Sequence, residues 1–377
     1  MATHIDCAST PIDYDLHGIV GIRLLNAAPG DAAAVTRQLG PIQAPLTCEP
    51  DIIIRFVDQL AVSSPVHYLG VDEVGFTDDA FLVLRSKHKA QAKVQVRMEQ
   101  VGEQCEIVCE TGLPAVPLLV PILNLAALAK GAMPLHASAF TYNGTGVLAT
   151  GWSKGGKTET LLAFMARGAE YIGDEWVYIS GDGQHMYGIP EPIRVWDWHL
   201  HYLPQYRARV GSGDRIRLRV IKLAQALERA VSEGPGRRLF FARAMKRVRP
   251  VLKRQLHVDI SPQRLFGRGR CSLAGSPQKV LFMTNHGAPE MTIRPINPRE
   301  IAQRMVFSLQ YERLPFTSYY LAFRFAFPET RNEFIERAEE LQRERLIEVL
   351  ADKEAYAVHH PYPVPIPTLF DIINPIL

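Results

Sequence analysis

Apolar residues recur along this chain at two spacings. Gly18–Leu25, Ile52–Val57, Phe81–Arg85, Lys93–Arg97 and Cys105–Cys109 are short apolar or alternating runs that predict strands, and Asp31–Leu39 predicts a short helix. The uncharged stretch Leu113–Ala129 carries Pro114, Pro117 and Pro121 and stops short of the roughly 20 residues of a membrane span, so it reads as a buried helix under a sheet. Two further strands, Pro134–Tyr142 and Gly146–Thr150, flank Asn143-Gly144, a hairpin signal. Thr158–Arg167 predicts a helix ended by Gly168, followed by strand over Glu170–Ile179 and a turn at Gly181-Asp182-Gly183. Helical stretches follow at Ile216–Ala230 and Leu239–Val248, then a strand at Val280–Thr284. Late helices fall at Pro298–Leu309 and Glu333–Leu350. The proline-rich tail HHPYPVPIPTLFDIINPIL predicts an extended strap, with His359 and His360 structural. There is no internal repeat.

These elements divide into a β-rich α/β unit over 1–111, in which no chemistry stands out, and a second unit over 112–377. The second unit contains Gly151-Trp152-Ser153-Lys154-Gly155-Gly156-Lys157-Thr158, which fits the phosphate-loop pattern G-x-x-x-x-G-K-[ST] at every fixed position. In such a loop successive backbone N–H groups converge on phosphate oxygens, the lysine adds a point charge, and the hydroxyl coordinates Mg²⁺. The glycines permit close backbone approach and positive φ. A predicted strand before the loop and a helix after it supply the context the motif requires, and the helix aims its dipole at the phosphate. An upstream hairpin predicts a mixed sheet, unlike the all-parallel sheet of the common phosphate-loop ATPases.

The 377 residues, 47% hydrophobic and 21% charged, are ordinary for a soluble globular protein. The N-terminal MATHIDCASTPIDYD lacks a basic segment followed by an apolar one. With five widely spaced cysteines (7, 48, 105, 109 and 271) it suggests reduced thiols in the cytoplasm. Cys105 and Cys109, four apart on a predicted strand, would share one face. The net charge of +3 is uneven, because 207–270 holds 18 Lys/Arg against Asp214, Glu228, Glu233 and Asp259. That insert attracts anions. Aromatics are few in it and just before it (Tyr202, Tyr206, Phe240, Phe241 and Phe266), so base stacking is not favoured and no DNA partner is expected. A lid or docking surface beside the phosphate site, using Arg243, Lys246 and Arg247, is the use it suggests.

Together, HASAF, GWSKGGKTET, ARGAEYIGDEW and HPYPVPIP resemble the catalytic domain of the HPr serine kinase/phosphorylase superfamily, specifically over Leu135–Ile179 and more thinly beyond it. The resemblance does not reach the first 110 or so residues. It implies a phosphoenolpyruvate carboxykinase-like P-loop kinase core with a mixed sheet, and it is nearest in type to the lasso-peptide serine kinases. Carried over by position, it implies that Gly151, Ser153, Lys154, Gly155, Gly156, Lys157, Thr158 and Glu159 hold the nucleotide. It places the family's histidine at His136 and its Asp-Asp pair at Asp174 and Glu175, a departure by one methylene at the second position. The expected roles are Asp174 as base, Glu175 in metal or orienting duty beside Thr158, and His136 orienting the carboxylate. Arg194, in PEPIRVWDW, is a candidate for substrate or phosphate, with a salt bridge the equal alternative. His199 and His201 have metal-like spacing without a third ligand. The Glu-x-Arg-Gly-x-Gly signature of the bifunctional members is absent, which argues against the reverse phosphorylase reaction and against the HPr carrier as substrate.

The expected function is an ATP- and Mg²⁺-dependent kinase that phosphorylates a serine-like hydroxyl on an anionic or hydroxyl-bearing peptide, protein or metabolite. The alternative is a nucleotide-binding regulatory protein that transfers nothing. Carboxykinase-like metabolite chemistry is disfavoured, since no oxaloacetate-binding apparatus is recognisable. Related kinases assemble as rings, which by analogy suggests a homo-oligomer.

Overall fold

The computed structural model describes residues 10–70, 73–85, 91–233 and 255–377. The predicted helix at Leu239–Val248 and the residues Cys7, Arg243, Lys246 and Arg247 lie outside the described residues. The chain is an α/β protein with two large mixed sheets. Alternation does what it predicts in the first sheet: Ile52, Ile54 and Phe56 are buried, while 53, 55 and 57 are only partly so. That sheet comprises β1 (Ile12–Leu16), β2 (Val20–Leu25), β3 (Ile52–Val57), β4 (His67–Leu69), β5 (Val74–Phe76), β6 (Phe81–Arg85), β7 (Gln91–Val96) and β8 (Cys105–Glu110), in the order β1-β2-β3-β8-β7-β6-β5-β4. The central pairs β2–β3 and β3–β8 are parallel, and helix α1 (Pro29–Leu39) connects β2 to β3. Cys105 and Cys109 both face inward from β8, and burial pushes the Cys105 thiol up to about 12.

The second sheet carries the loop. Helix α2 (Leu119–Ala129), almost wholly apolar and buried, precedes the hairpin of β9 (Met133–Tyr142) and β10 (Thr145–Gly151). Its turn residues Asn143 and Gly144 both have positive φ, as a two-residue hairpin requires. Helix α3 (Lys157–Met165) follows, then β11 (Glu170–Gly173), β12 (Trp176–Ile179) and β13 (Met186–Gly188). A side ribbon pairs β14 (Ile193–Trp196) with β15 (His257–Ile260); between them lie α4 (Asp197–Tyr202) and α5 (Ser212–Glu233). Helix α6 (Pro262–Phe266), β16 (Ala274–Gly275), β17 (Lys279–Asn285) and β18 (Thr292–Pro295) lead to α7 (Pro298–Ala326), α8 (Glu333–Leu350), β19 (Glu354–His360) and α9 (Ile366–Ile373). The sheet order is β16-β13-β12-β9-β10-β17-β19-β18, with β11 paired to β9. Strand β10 is antiparallel to β9 but parallel to β17, which is parallel to β19. The C-terminal ends of β10, β17 and β19 therefore open on one edge, the side on which open α/β sheets hold ligands.

One apolar core joins the first sheet to α2, α7 and α8, and a second surrounds α3, α9 and the side ribbon. Two expectations are corrected here. The helix expected to end at Leu309 runs on to Ala326 through Pro315. An interior proline costs about 3 kcal/mol, but Phe316, Tyr320 and Phe323 beyond it are buried in the core and outweigh that cost. The tail is no extended strap, since His359 and His360 end β19 and Ile366–Ile373 forms a helix. Its proline sits in the first turn, where no intrahelical N–H bond is lost, and Phe370 packs on Phe164 of α3 at 4.9 Å between centroids. No described helix is long and apolar enough to cross a membrane.

Candidate functional site

The loop between β10 and α3 has the geometry its glycines predict. Gly156 sits at φ +104°, and a Cβ there would lie 2.4 Å from His360 Nε2; a Cβ on Gly155 would meet the carbonyls of Trp152 and Met283 at 2.9 and 3.0 Å. The cradle is thus closed to any larger residue. Its backbone is pinned from two neighbouring strands. His360 of β19 donates through Nε2 to the Gly155 carbonyl at 2.7 Å, and Asn285 of β17 donates to the Lys154 carbonyl at 3.0 Å. Lys154 itself takes φ +62°. Ser153 is half-buried and Trp152 half-exposed. Lys157, the first residue of α3, is buried and turned back over the loop, donating to the Trp152 carbonyl at 3.0 Å. Burial pulls its ammonium pKa below the ordinary range, against four surrounding carboxylates (Glu175, Asp174, Glu312 and Glu159) that favour the charge.

Asp174 and Glu175 fill the break between β11 and β12. Glu175 adopts φ +66°, rare for a residue with a Cβ, and the Trp176 N–H donates to the Asp174 carbonyl at 2.9 Å across it, forming a γ-turn. The Asp174 carboxylate is fully buried and accepts from Ser138 Oγ, and Thr158 Oγ1 lies 3.2 Å from both its oxygens. Burial and the neighbouring Glu175 charge raise its pKa to about 7, against the hydroxyl donors and Lys157. The Glu175 side chain is half-exposed and bonds His136 Nε2 at 2.9 Å. That bond holds its pKa below the usual carboxylate range, against burial.

His136, buried on β9, has a second acidic neighbour. Glu312 Oε1 of α7 lies 3.2 Å from Nδ1, an ion-pair contact outside hydrogen-bond direction. Burial pulls the imidazole pKa down, but the two carboxylates outweigh it and the net shift is upward. Sequence reasoning did not single out Glu312. It lies beyond Leu309, where the helix was expected to end, and no local spacing links it to His136.

The remaining candidates are engaged with partners outside the loop. Glu159 is buried in α3 with its carboxylate taken by His199 Nε2 at 3.1 Å; the Trp196 N–H donates to Nδ1, which fixes Nε2 as the donor. Burial works to raise the Glu159 pKa, but the hydrogen bond from His199 outweighs it and the net shift is downward. His201 is exposed on α4 and is not brought together with His199 as a ligand pair. Arg194 is paired with Asp259 at 3.3 Å, and its charge also acts on Glu175. A cavity of about 340 Å³ beside Trp198, Tyr202, Arg207 and Lys222 includes none of the loop residues. Among the described residues no three His, Cys, Asp or Glu are arranged to hold a metal ion by themselves. The oxygen donors Thr158 and Asp174 fit a Mg²⁺ ion, which usually takes one or two protein ligands and completes its shell with phosphate and water. A comparison with protein-family models and with characterised proteins returns no match to this chain.

Proposed function

We propose that the chain is an ATP- and Mg²⁺-dependent phosphotransferase acting on a hydroxyl acceptor. The observation that supports this best is the contact of Thr158 with Asp174 at the start of α3, directly beside the Glu175–His136 pair. In this reading the backbone of 152–156 and Lys157 bind the triphosphate, and Thr158 and Asp174 hold Mg²⁺. The ion would neutralise charge on the phosphates.

Asp174 was expected to be the base. The arrangement favours the opposite division of labour: both Asp174 oxygens are occupied and buried, whereas Glu175 is half-exposed and accessible to an acceptor hydroxyl. Glu175 then takes the hydroxyl proton, and His136 orients it and offsets its charge. Incubation with γ-labelled ATP against a panel of hydroxyl-bearing peptides and metabolites, read by mass spectrometry, tests the reading. Glu175→Gln should retain nucleotide binding and lose transfer. Nucleotide binding with no transfer to any acceptor would favour the regulatory alternative, and no binding would remove both.

A further inference from the structure

Helix α7 carries an apolar surface that the site does not use. Its exposed large residues are Phe307, Tyr311, Leu314, Leu321 and Phe325, each between 49% and 71% exposed. With exposed Ser318 they repeat at intervals of 4, 3, 4, 3 and 4 residues, and at 100° per residue they lie within about 40° of one line. That is the two-in-seven seam by which one helix receives another. Helix α8 packs on a different side of α7. Its Arg343 lies over the Phe307 ring at 5.7 Å, yet Phe307 remains 55% exposed.

We propose that this seam is a self-complementary interface that joins two copies of the chain through antiparallel α7 helices. The spacing reads the same in both directions about position 316. Under a two-fold axis Phe307 meets Phe325, Tyr311 meets Leu321, and Leu314 meets the small Ser318 of the other copy. Such pairing is what an isologous contact requires, and antiparallel helix dipoles favour it. With Trp152, which stacks against Tyr311 at 4.9 Å, the exposed side chains offer roughly 600–700 Å² per copy. That exceeds the 300–600 Å² or so of an ordinary monomer's largest patch and approaches the roughly 800 Å² per partner of a stable interface. A lipid surface fits less well, because membrane-lying helices present a broad apolar face rather than a narrow line. Through Tyr311 and Trp152 the edge of the interface reaches the phosphate loop.

Sedimentation velocity of the full chain over a hundredfold dilution series tests the proposal, and its readout does not depend on phosphoryl transfer. The wild-type chain should sediment at twice the chain mass. Leu314→Glu and, separately, Leu321→Glu should sediment at the chain mass and still melt cooperatively, because both positions are exposed in the single chain, but with a Tm that no longer rises with protein concentration as the wild type's does. A photo-crosslinking residue at 307 should capture the peptide around Phe325 of an isotope-labelled second copy. A wild-type monomer at every concentration would overturn the proposal, as would dimers that survive both substitutions. Capture of the 303–311 peptide, or of a peptide outside α7, would overturn the antiparallel arrangement.

Discussion

Replacing Asp174 with Asn separates the metal-side role proposed for this carboxylate from its cost to the fold. The carboxyl group is buried and its pKa is raised from 3.8 to about 7. In metal-free protein the folded state therefore binds more protons than the unfolded chain between about pH 4 and pH 7, so stability falls as pH rises through that window and levels off above it. At about 1.4 kcal/mol per tenfold change in proton affinity, the penalty above pH 7 is about 4 kcal/mol. Asparagine can still accept from Ser138 but never ionises, so Asp174→Asn should be the more stable protein in chelator at pH 8. With an unfolding entropy of about 2 cal/mol/K per residue, the gain corresponds to about 5 °C in Tm. By pH 5 the gap should shrink to less than about 2 kcal/mol, because the wild-type carboxyl is by then protonated when folded. Adding Mg²⁺ with nucleotide should stabilise the wild type more than the variant, which keeps the loop backbone and Lys157 but loses one of the two proposed metal ligands. Melting curves from pH 5 to pH 8, with chelator or with Mg²⁺ and nucleotide, give all three comparisons. A variant that melts with or below the wild type in chelator at pH 8 would refute the reasoning.

Three further outcomes follow from the same geometry. His360→Ala removes the bond to the Gly155 carbonyl and should weaken nucleotide binding about tenfold, the value of one hydrogen bond near 1.4 kcal/mol, as measured by calorimetry; an unchanged Kd would show that the loop holds its shape without the strand. Glu159→Ala leaves the His199 Nε2–H without a partner in the core and should cost about 1–3 kcal/mol in denaturant unfolding, whereas a loss of nucleotide affinity without a loss of stability would return Glu159 to the proposed phosphate site. Among the described cysteines, an alkylating agent at pH 8 should label exposed Cys48 and spare Cys105 and Cys109 until the protein unfolds, because both thiols are buried with raised pKa values; labelling of all at one rate in native protein would contradict the burial.

The loop, its flanking strand and helix and the Asn143-Gly144 hairpin were legible because each is a local pattern whose spacing carries its own geometry. The buried helix at Leu119–Ala129 was legible for the same reason. What escaped was decided at long range. Pro315 looks like a stop until the burial of Phe316, Tyr320 and Phe323 is known, and the prolines of the tail look extended until Phe370 is seen against Phe164. The contacts of Glu312 with His136 and of His360 with Gly155 join residues from distant parts of the chain, so no window of sequence contains them. Glu159 follows the loop directly in sequence, but the first turn of α3 rotates it toward His199.

Asp174 and Glu175 are adjacent, and on a regular strand adjacent side chains point to opposite faces. Their partners on β9, Ser138 and His136, are two residues apart and so share one face. Both carboxylates can reach that face only if the backbone departs from the strand between them, and it does so at Glu175, where φ is +66°. The distortion is held by bonds on both sides: Trp176 N–H to the Asp174 carbonyl, and Ala137 N–H to the Glu175 carbonyl at 3.1 Å. A left-handed conformation at a residue with a Cβ costs on the order of 1–2 kcal/mol, and glycine would remove the cost together with the carboxylate. The strain therefore coincides with the one geometric feature that sets a buried acid against Thr158 and a half-exposed acid against His136. An Asp-Asp pair on an unbroken strand would not place two acids this way.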